Sequence, residues 1–382
     1  MNKTRIIVIG AGIGGLAASL ALQRRGFKVA VYERAAEIRE IGAGVVITAN
    51  ARKALRDLGV DEDLQARSSC VPVMRWGNYA TGETLREILN ATIAERYGLP
   101  TLQVHRADLH GLLMQAVQAN DGDALHAAHE FVGLEQDDEG VTARFANGFT
   151  DRGDVLIGAD GNASTIRSQL FPGEAPSFAG QVAFRALIPI ERVPEQVLDI
   201  GYGLHAGPKR YLMHYPLRGG SIMNLIGVAQ SETWQEEGWA IPATNQEFAE
   251  SFGQYAPCFV DLIHKIPEGQ LFKWGLRDRE PLANWTIGRV GMLGDAAHPM
   301  TPFLGQGACL AIEDALLLGR AFAASSDVSE ALRRYEGSRK ERGNGVQLLS
   351  REEGRALQNP EKTRKPAMDR GLLAYDPVTA EV

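Results

Sequence analysis

Gly10, Gly12 and Gly15 stand at the spacing G-x-G-x-x-G, directly behind a short apolar run at 5–9. Residues of this type at this spacing suit a dinucleotide. The first glycine permits a tight turn, the second lets backbone approach a pyrophosphate, and the third lets a helix pack closely on a strand. The phosphates meet the N-terminus of that helix, where unpaired N–H groups and the helix dipole favour anions. Glu33 follows about 20 residues on, where its carboxylate can accept hydrogen bonds from ribose hydroxyls. A second glycine pair, in Gly201-Tyr-Gly-Leu-His-Ala206, lacks the third glycine and runs into Pro208.

Three more motifs carry polar groups to strand ends. His105-Arg106-Ala107-Asp108-Leu109 places an arginine at a strand-to-helix junction, and Gly158-Ala159-Asp160-Gly161 places a carboxylate after a buried strand. Gly294-Asp295 runs through His298 and Pro302 to Gly305-Gln306-Gly307-Ala308, joining an acid to a glycine-rich helix start. Ligands of open α/β sheets bind outside the carboxyl ends of strands, where these motifs meet. An acid there can hold ribose or ribityl hydroxyls, and the N–H groups of Gly307 and Ala308 can face a developing anion. Each motif alone also has a plain structural reading: a capping Asp160, a surface Arg106, a Gly-Gln-Gly turn. Their joint order along the chain is the specific signal.

The elements that position these residues read as follows. A buried strand at 5–9, a helix at 16–25 closed by Gly26, and a strand at 28–32 make a βαβ opening. Gly42 and Gly44 mark a bend before a strand, and Asn50 caps a helix at 51–58. Short strands follow at 73–76 and 83–88, then a strand into a helix capped by Asp108, with its apolar body at 109–117. A hairpin at 131–134 and 141–145 precedes a buried strand from 155 and a helix at 164–170. Between about 181 and 279 the texture becomes strand-rich, with runs at 182–189, 202–205, 210–215 and 221–229, and helical stretches at 248–255 and 259–266. Helices at 307–324 and 328–342 follow, then a tail helical from Gly345 to about 358 and loose over 359–366.

The fold class is therefore α/β with an α+β substrate domain. A discontinuous Rossmann-like nucleotide domain covers 1–70, 101–178 and 280–345. An inserted, mostly antiparallel sheet domain covers 71–100 and 179–279, and a C-terminal helix and tail covers 346–382. The 382 residues suit two or three domains, and 45% hydrophobic with 23% charged residues suits a large core. A net charge of −7 argues against nucleic-acid or anionic-membrane partners, and no apolar run is long enough to span a bilayer. The glycine turn interrupts the apolar N-terminal stretch, so it reads as a strand and not a signal peptide. Cys70, Cys258 and Cys309 fit neither a disulfide framework nor a zinc site; a reducing cytoplasm and no metal are expected.

On these motifs the chain resembles the FAD-dependent aromatic hydroxylases of the para-hydroxybenzoate hydroxylase superfamily, nearest to salicylate hydroxylase, 3-hydroxybenzoate 6-hydroxylase and 6-hydroxynicotinate 3-monooxygenase. The resemblance extends to the terminal Leu373-Ala-Tyr-Asp-Pro377. It implies that Gly10, Gly12, Gly15 and Glu33, with Arg34 beside it, hold the ADP half of FAD, and that Arg106 contacts the cofactor near its phosphates. It implies that Asp160 and Gly161 serve FAD and pyridine-nucleotide contacts, and that Asp295 binds the ribityl chain. Pro302, Gly305, Gly307 and Ala308 would lie against the isoalloxazine, Pro302 counting with the catalytic set. Val46 would lie near the cofactor, where some relatives carry a His or Gln close to the substrate. The implied reaction uses NADH or NADPH as a transient co-substrate and O2. A C4a-hydroperoxyflavin hydroxylates a small aromatic acid such as a hydroxybenzoate, aminobenzoate or hydroxynicotinate, with or without loss of its carboxyl group. A monomer or homodimer is expected. No second βαβ unit exists for a pyridine nucleotide, against the reductases that bind one on its own domain.

The protein's own part is to exclude water, orient the ring and help ionise a phenol. In the run 210–216, period two puts Tyr211, Met213 and Tyr215 on one face and His214 on the other. Relatives tend to carry histidine where Tyr211 stands, so a His–Tyr dyad is displaced; the catalytic set is Tyr215, Tyr211 and His214, the last needing a bulge to turn inward. Arg75, Arg185 and Arg218 can each bind a carboxylate. The five tryptophans make no Trp-x-Trp pair, against a flavin halogenase. An oxygenase or epoxidase of non-aromatic or polycyclic substrates fits the same FAD motifs, and a non-catalytic nucleotide-binding protein would hold no flavin.

Overall fold

The computed structural model describes residues 4–38, 43–234, 238, 240–357 and 370–382. The expected bend at Gly42 and the loose segment at 359–366 lie outside the described residues.

The first sheet is built from apolar, β-branched runs too short to be helices. Its six strands lie in the order Thr286–Ile287, Val290–Met292, Val155–Gly158, Arg5–Ile9, Lys28–Tyr32, Leu125–His126. The central pairs are parallel, with Ile9 opposite both Gly158 and Tyr32, and Gly158 opposite Met292. This register sets three carboxyl ends side by side, so Gly10, Ala159 and Leu293 leave the sheet at one edge. Helices Ile13–Gln23, Arg106–Asn120 and Gly307–Ala323 cover it, and most of Gly307–Ala323 is buried.

The second sheet has eight strands in the order Ile241–Pro242, Leu271–Asp278, Ser177–Pro189, Ile222–Gln230, Arg210–Leu217, Tyr202–Gly207, Val73–Asn78, Thr84–Leu89. Its pairs are antiparallel except Tyr202–Gly207 with Val73–Asn78. One face packs Phe184, Leu212, Met223 and Leu225 on helices Asn245–Ser251 and Pro257–His264. The opposite face is turned to the first sheet and carries the second apolar cluster, with Met74, Tyr202, Tyr211, Tyr215 and Ile226.

Three of the element boundaries that differ from the sequence expectation bear on the site. Helix Arg106–Asn120 begins two residues before Asp108, with His105 at the cap; Asp108 instead pairs with Arg218 at 2.6 Å. Helix Ala49–Asp57 is capped at Thr48, which frees the Asn50 side chain for other contacts. The two helices expected at 328–342 and 345–358 are one helix, Val328–Leu357. Its Gly343 is a packing residue and not a break: a Cβ there would stand 2.3 Å from the Trp285 ring. The boundary drawn at 345/346 therefore falls inside a continuous element.

Candidate active site

The glycine turn is crowded at both ends and open in the middle. Gly10 has φ +103°, a region few L-residues adopt, and a Cβ there would meet the Ala159 carbonyl oxygen at 2.4 Å. A Cβ at Gly15 would stand 1.9 Å from the Gly10 oxygen. A Cβ at Gly12 would meet nothing within 4 Å. Space is thus reserved at Gly12 in front of helix Ile13–Gln23. Glu33 braces the turn: its Oε2 accepts from the Ala11 N–H at 2.9 Å and its Oε1 from the Ala35 N–H at 3.0 Å. His110 Nε2 bonds the Ala11 carbonyl at 2.8 Å, a support the motif reading missed. Arg34 is exposed beside Glu33.

From this turn a cleft of about 300 Å³ runs between the sheets. Gly12, Arg106, Gly161 and Asp295 line its nucleotide side. Val46, Pro302, Gly305, Gly307 and Ala308 line the middle, with the N-terminus of helix Gly307–Ala323 facing in. Tyr211 and Tyr215 line the far wall. Gly10, Gly15 and Glu33 stand behind the lining as its frame. Asp160 does not line the cleft: its Oδ2 accepts from the Ile166 N–H at 3.2 Å at the start of helix Thr165–Leu170, while Ala159 and Gly161 on either side do line it. Burial pushes the Asp160 carboxyl up, against the hydrogen bonds from Ser164 and Ile166. Asp295 faces the cleft; the surrounding protein raises its carboxyl, and His298 and Arg106 oppose that rise.

Behind the Gly305–Ala308 turn lies a buried polar network that no motif announced. The Asn50 amide donates to Gln306 Oε1 at 3.0 Å and to Glu313 Oε1 at 2.6 Å, and Gln306 donates to Thr48 Oγ1 at 3.1 Å. Glu313 pairs with Arg339 and Arg342, both at 2.7 Å. Asp314 accepts from Arg339 Nε at 2.7 Å, from the Gly294 N–H at 3.0 Å, and lies 2.6 Å from His298 Nε2. Burial opposes ionisation of Asp314, but His298 and Arg339 outweigh it and hold the carboxyl down at about 2. The visible clue was Glu313-Asp314, two adjacent acids in the otherwise apolar stretch 307–319 of the helix. His298, bonded to Asp314, anchors the Asp295 turn.

The far wall is set by sheet register. Arg185, Ile226, Met213, Leu204 and Trp76 stand directly opposite one another across five strands, so their side chains share a face. Tyr215 is 1% exposed, its ring stacked on Tyr202 at 5.6 Å, and Tyr211 meets Phe303 edge-on at 5.6 Å. Asn224, opposite Tyr215, accepts from the Gly44 N–H at 2.9 Å. Burial pushes the hydroxyls of Tyr211 and Tyr215 far up, with Arg185 pulling both back, and pushes Tyr202 up to about 12. All three hold their protons at neutral pH.

His214 corrects the expected catalytic set geometrically. No bulge occurs in Arg210–Leu217, so His214 points to the helix-covered face. There its Nδ1 lies 3.1 Å from the Gly201 oxygen and its Nε2 lies 3.3 Å from His205 Nε2. Burial, then the neighbouring His205, pushes it down to about 3. It is a neutral core residue remote from the cleft.

Beyond Tyr211 and Pro302 the cleft opens into a chamber of about 140 Å³. Met74, Trp76, Leu204, Met213 and Phe303 give it apolar walls, and among the described residues no charged side chain lines it. Of the three candidate arginines, Arg75 pairs with Glu87 at 2.9 Å and with the Ile200 oxygen at 2.6 Å, and Arg218 with Asp108. Arg185 alone of the three lines the cleft, with its guanidinium 5.5 Å from the centre of the Trp274 ring. Among the described residues no group of His, Cys, Asp and Glu suits a metal ion, and the three cysteines are free. No described helix is long and apolar enough to cross a membrane.

A glycine turn with reserved space, two inward helix N-termini and an acid in the cleft between them define a flavin-nucleotide site. Residues 3–349 match the family described as an FAD binding domain, and the chain belongs to that family. It is 37% identical over 353 residues to 3-hydroxybenzoate 6-hydroxylase of Polaromonas naphthalenivorans, covering 92% of this chain and 87% of the relative. It is 34% identical over 370 residues to 6-hydroxynicotinate 3-monooxygenase of Bordetella bronchiseptica, covering 94% of each. The crystal structure of Klebsiella pneumoniae HpxO complexed with FAD and uric acid superposes with a TM-score of 0.85 at 27% identity, covering 98% of this chain and 93% of that one. The chain is an FAD-dependent monooxygenase of the aromatic hydroxylase kind, using NAD(P)H and O2.

Proposed function

We propose that this enzyme hydroxylates the ring of a small aromatic acid of the hydroxybenzoate, aminobenzoate or hydroxynicotinate class. The observation that carries the reading is the wall of Tyr211, Met213 and Tyr215 facing the Pro302–Ala308 turn across one cleft. FAD fits the residues present. Gly12 leaves room for its phosphates, helix Ile13–Gln23 aims N–H groups at them, and Asp295 offers a carboxylate to its ribityl hydroxyls. Bound there, it supplies hydride acceptance from NAD(P)H and activation of O2.

The protein's residues bind, orient and exclude water. Tyr211 and Tyr215 keep their protons, so they act as hydrogen-bond donors to a ring oxygen and favour its ionised, electron-rich form. The apolar chamber shields the reacting ring from water. Its volume is close to that of cavities that take up a single benzene ring, which favours a one-ring substrate over a polycyclic one. The test is a screen of purified holoenzyme for NADH and NADPH oxidation against hydroxybenzoates, aminobenzoates and hydroxynicotinates, with mass analysis of products. One acid should accelerate oxidation severalfold and gain one oxygen; no acceleration across the panel would refute the aromatic-acid assignment. We also infer a cytoplasmic monomer or homodimer, checked by fractionation and size-exclusion chromatography.

A further inference from the structure

We propose that Arg185 is the specificity-determining residue that reads the substrate carboxylate, and that the ring lies in the uncharged chamber with its far edge bare of charge. This rests on the monooxygenase reading above and adds the substrate's charge distribution to it.

Three charged side chains line the cleft and chamber among the described residues: Arg106, Asp295 and Arg185. The first two belong to the nucleotide side. Arg185 comes from the opposite sheet and shares a row with Ile226, Met213 and Leu204. Strands stand about 4.8 Å apart, so the Arg185 backbone lies roughly 10 Å from Met213 and roughly 14 Å from Leu204 along that row. An extended arginine side chain and a benzoate-sized molecule together fill this span. The chamber therefore begins where the carboxylate-to-ring distance requires it.

The register leaves no freedom in this placement. A one-residue slip of strand Ser177–Pro189 would turn Arg185 onto the helix-covered face, where its neighbour Phe184 stacks on Phe248 at 4.7 Å. Trp274 beneath the guanidinium restrains it before any ligand arrives. Its positive field reaches the hydroxyls of both Tyr211 and Tyr215, so an anion near them is favoured. Among the described residues the chamber beyond offers polar groups only from Thr48, Trp76, Thr101, Tyr202, Tyr211 and Gln306 and no counter-ion, so a second charge on the ring's remote edge would be buried unpaired.

The experiment uses FAD-loaded wild type, Arg185→Met and Arg185→Lys with matched ligand pairs: each accepted acid and the same phenol or pyridinol without its carboxylate. Arg185→Met is expected to raise KM for the acid roughly tenfold to hundredfold, the worth of a charge-assisted pair, and to change KM for the carboxylate-free partner by less than about twofold. Arg185→Lys should recover part of the loss. A methyl group on the ring edge remote from the carboxylate should be tolerated, and a second carboxylate there should abolish binding. Equal shifts for acid and phenol would overturn the proposal, because they would mean that Arg185 meets the ring oxygen or merely supports the fold. So would equal binding of the dicarboxylate. Hydroxylation of neutral phenols with every acid refused would overturn Arg185's role and leave the monooxygenase standing; no turnover of any aromatic would remove both.

Discussion

Exchanging Gly12 and Gly15 for alanine separates ligand space from folding space within one turn. At Gly12 the backbone has φ −73°, comfortable for alanine, and the new methyl would meet nothing within 4 Å. The unfolded chain loses freedom, a gain of about 0.4–1 kcal/mol, while alanine is a poorer helix cap by a similar amount. Apoprotein stability should therefore move by less than about 1 kcal/mol. The methyl would occupy the space through which a pyrophosphate approaches the helix N-terminus. Losing two charge-assisted hydrogen bonds at about 1.5 kcal/mol each comes to roughly 3 kcal/mol, or about 10²-fold in FAD affinity. At Gly15 the methyl would sit 1.9 Å from the Gly10 oxygen and 3.2 Å from the Ala159 side chain, so strand and helix must part. Overpacking costs about 1–3 kcal/mol, and at roughly 2–4 °C per kcal/mol the Tm of Gly15→Ala apoprotein should fall several degrees. Thermal melts of apoprotein and titration with FAD by fluorescence quenching read both effects. The reasoning is refuted if Gly12→Ala binds FAD like wild type, or if Gly15→Ala melts with it.

Other outcomes follow from the same geometry. Tyr215→Phe should slow hydroxylation more than flavin reduction in stopped-flow traces; equal slowing would deny the hydroxyl a role at the ring. Glu313→Ala leaves wholly buried Arg339 with Asp314 as its remaining carboxylate partner, and should cost about 1–3 kcal/mol and weaken FAD retention by loosening Asn50 and Gln306; calorimetry and gel filtration of the holoenzyme check this. The His205–His214 pair is held neutral, His214 at about 3 and His205 at about 4. Below the ordinary histidine value of about 6.5 the unfolded chain takes up protons that the folded pair refuses, so the pair's share of stability is lost as pH falls from there. At pH 5 His214 accounts for about 2 kcal/mol. A His205→Gln/His214→Gln protein should lose less Tm between pH 7.5 and 5 than wild type does; an equal loss would contradict the assignment.

The nucleotide half of the site was readable because its chemistry is local. A turn, a phosphate cradle and a helix start need glycines a few residues apart, and Gly10, Gly12 and Gly15 declare them without any tertiary contact. Period-two alternation likewise put Tyr211, Met213 and Tyr215 on one face and His214 on the other. The helix starts were misplaced at Asp108 and Asn50 because both side chains have distant partners, Arg218 in one case and Gln306 with Glu313 in the other. Helix Val328–Leu357 was split because a glycine inside a helix looks the same whether it ends the helix or admits a ring such as Trp285.

By itself the sequence determined the dinucleotide turn and the alternation of the substrate strand, since each depends on residues within a few positions of one another; the class of chemistry came from a family resemblance carried by motifs spread along the chain. Only the tertiary structure decided which of three arginines enters the cleft, that Asp160 turns to a helix end, and that the described residues lining the chamber beyond Tyr211 carry no charge. Those outcomes depend on strand order and register in a sheet whose partners lie far apart in the chain, and spacing along the sequence carries no record of that pairing.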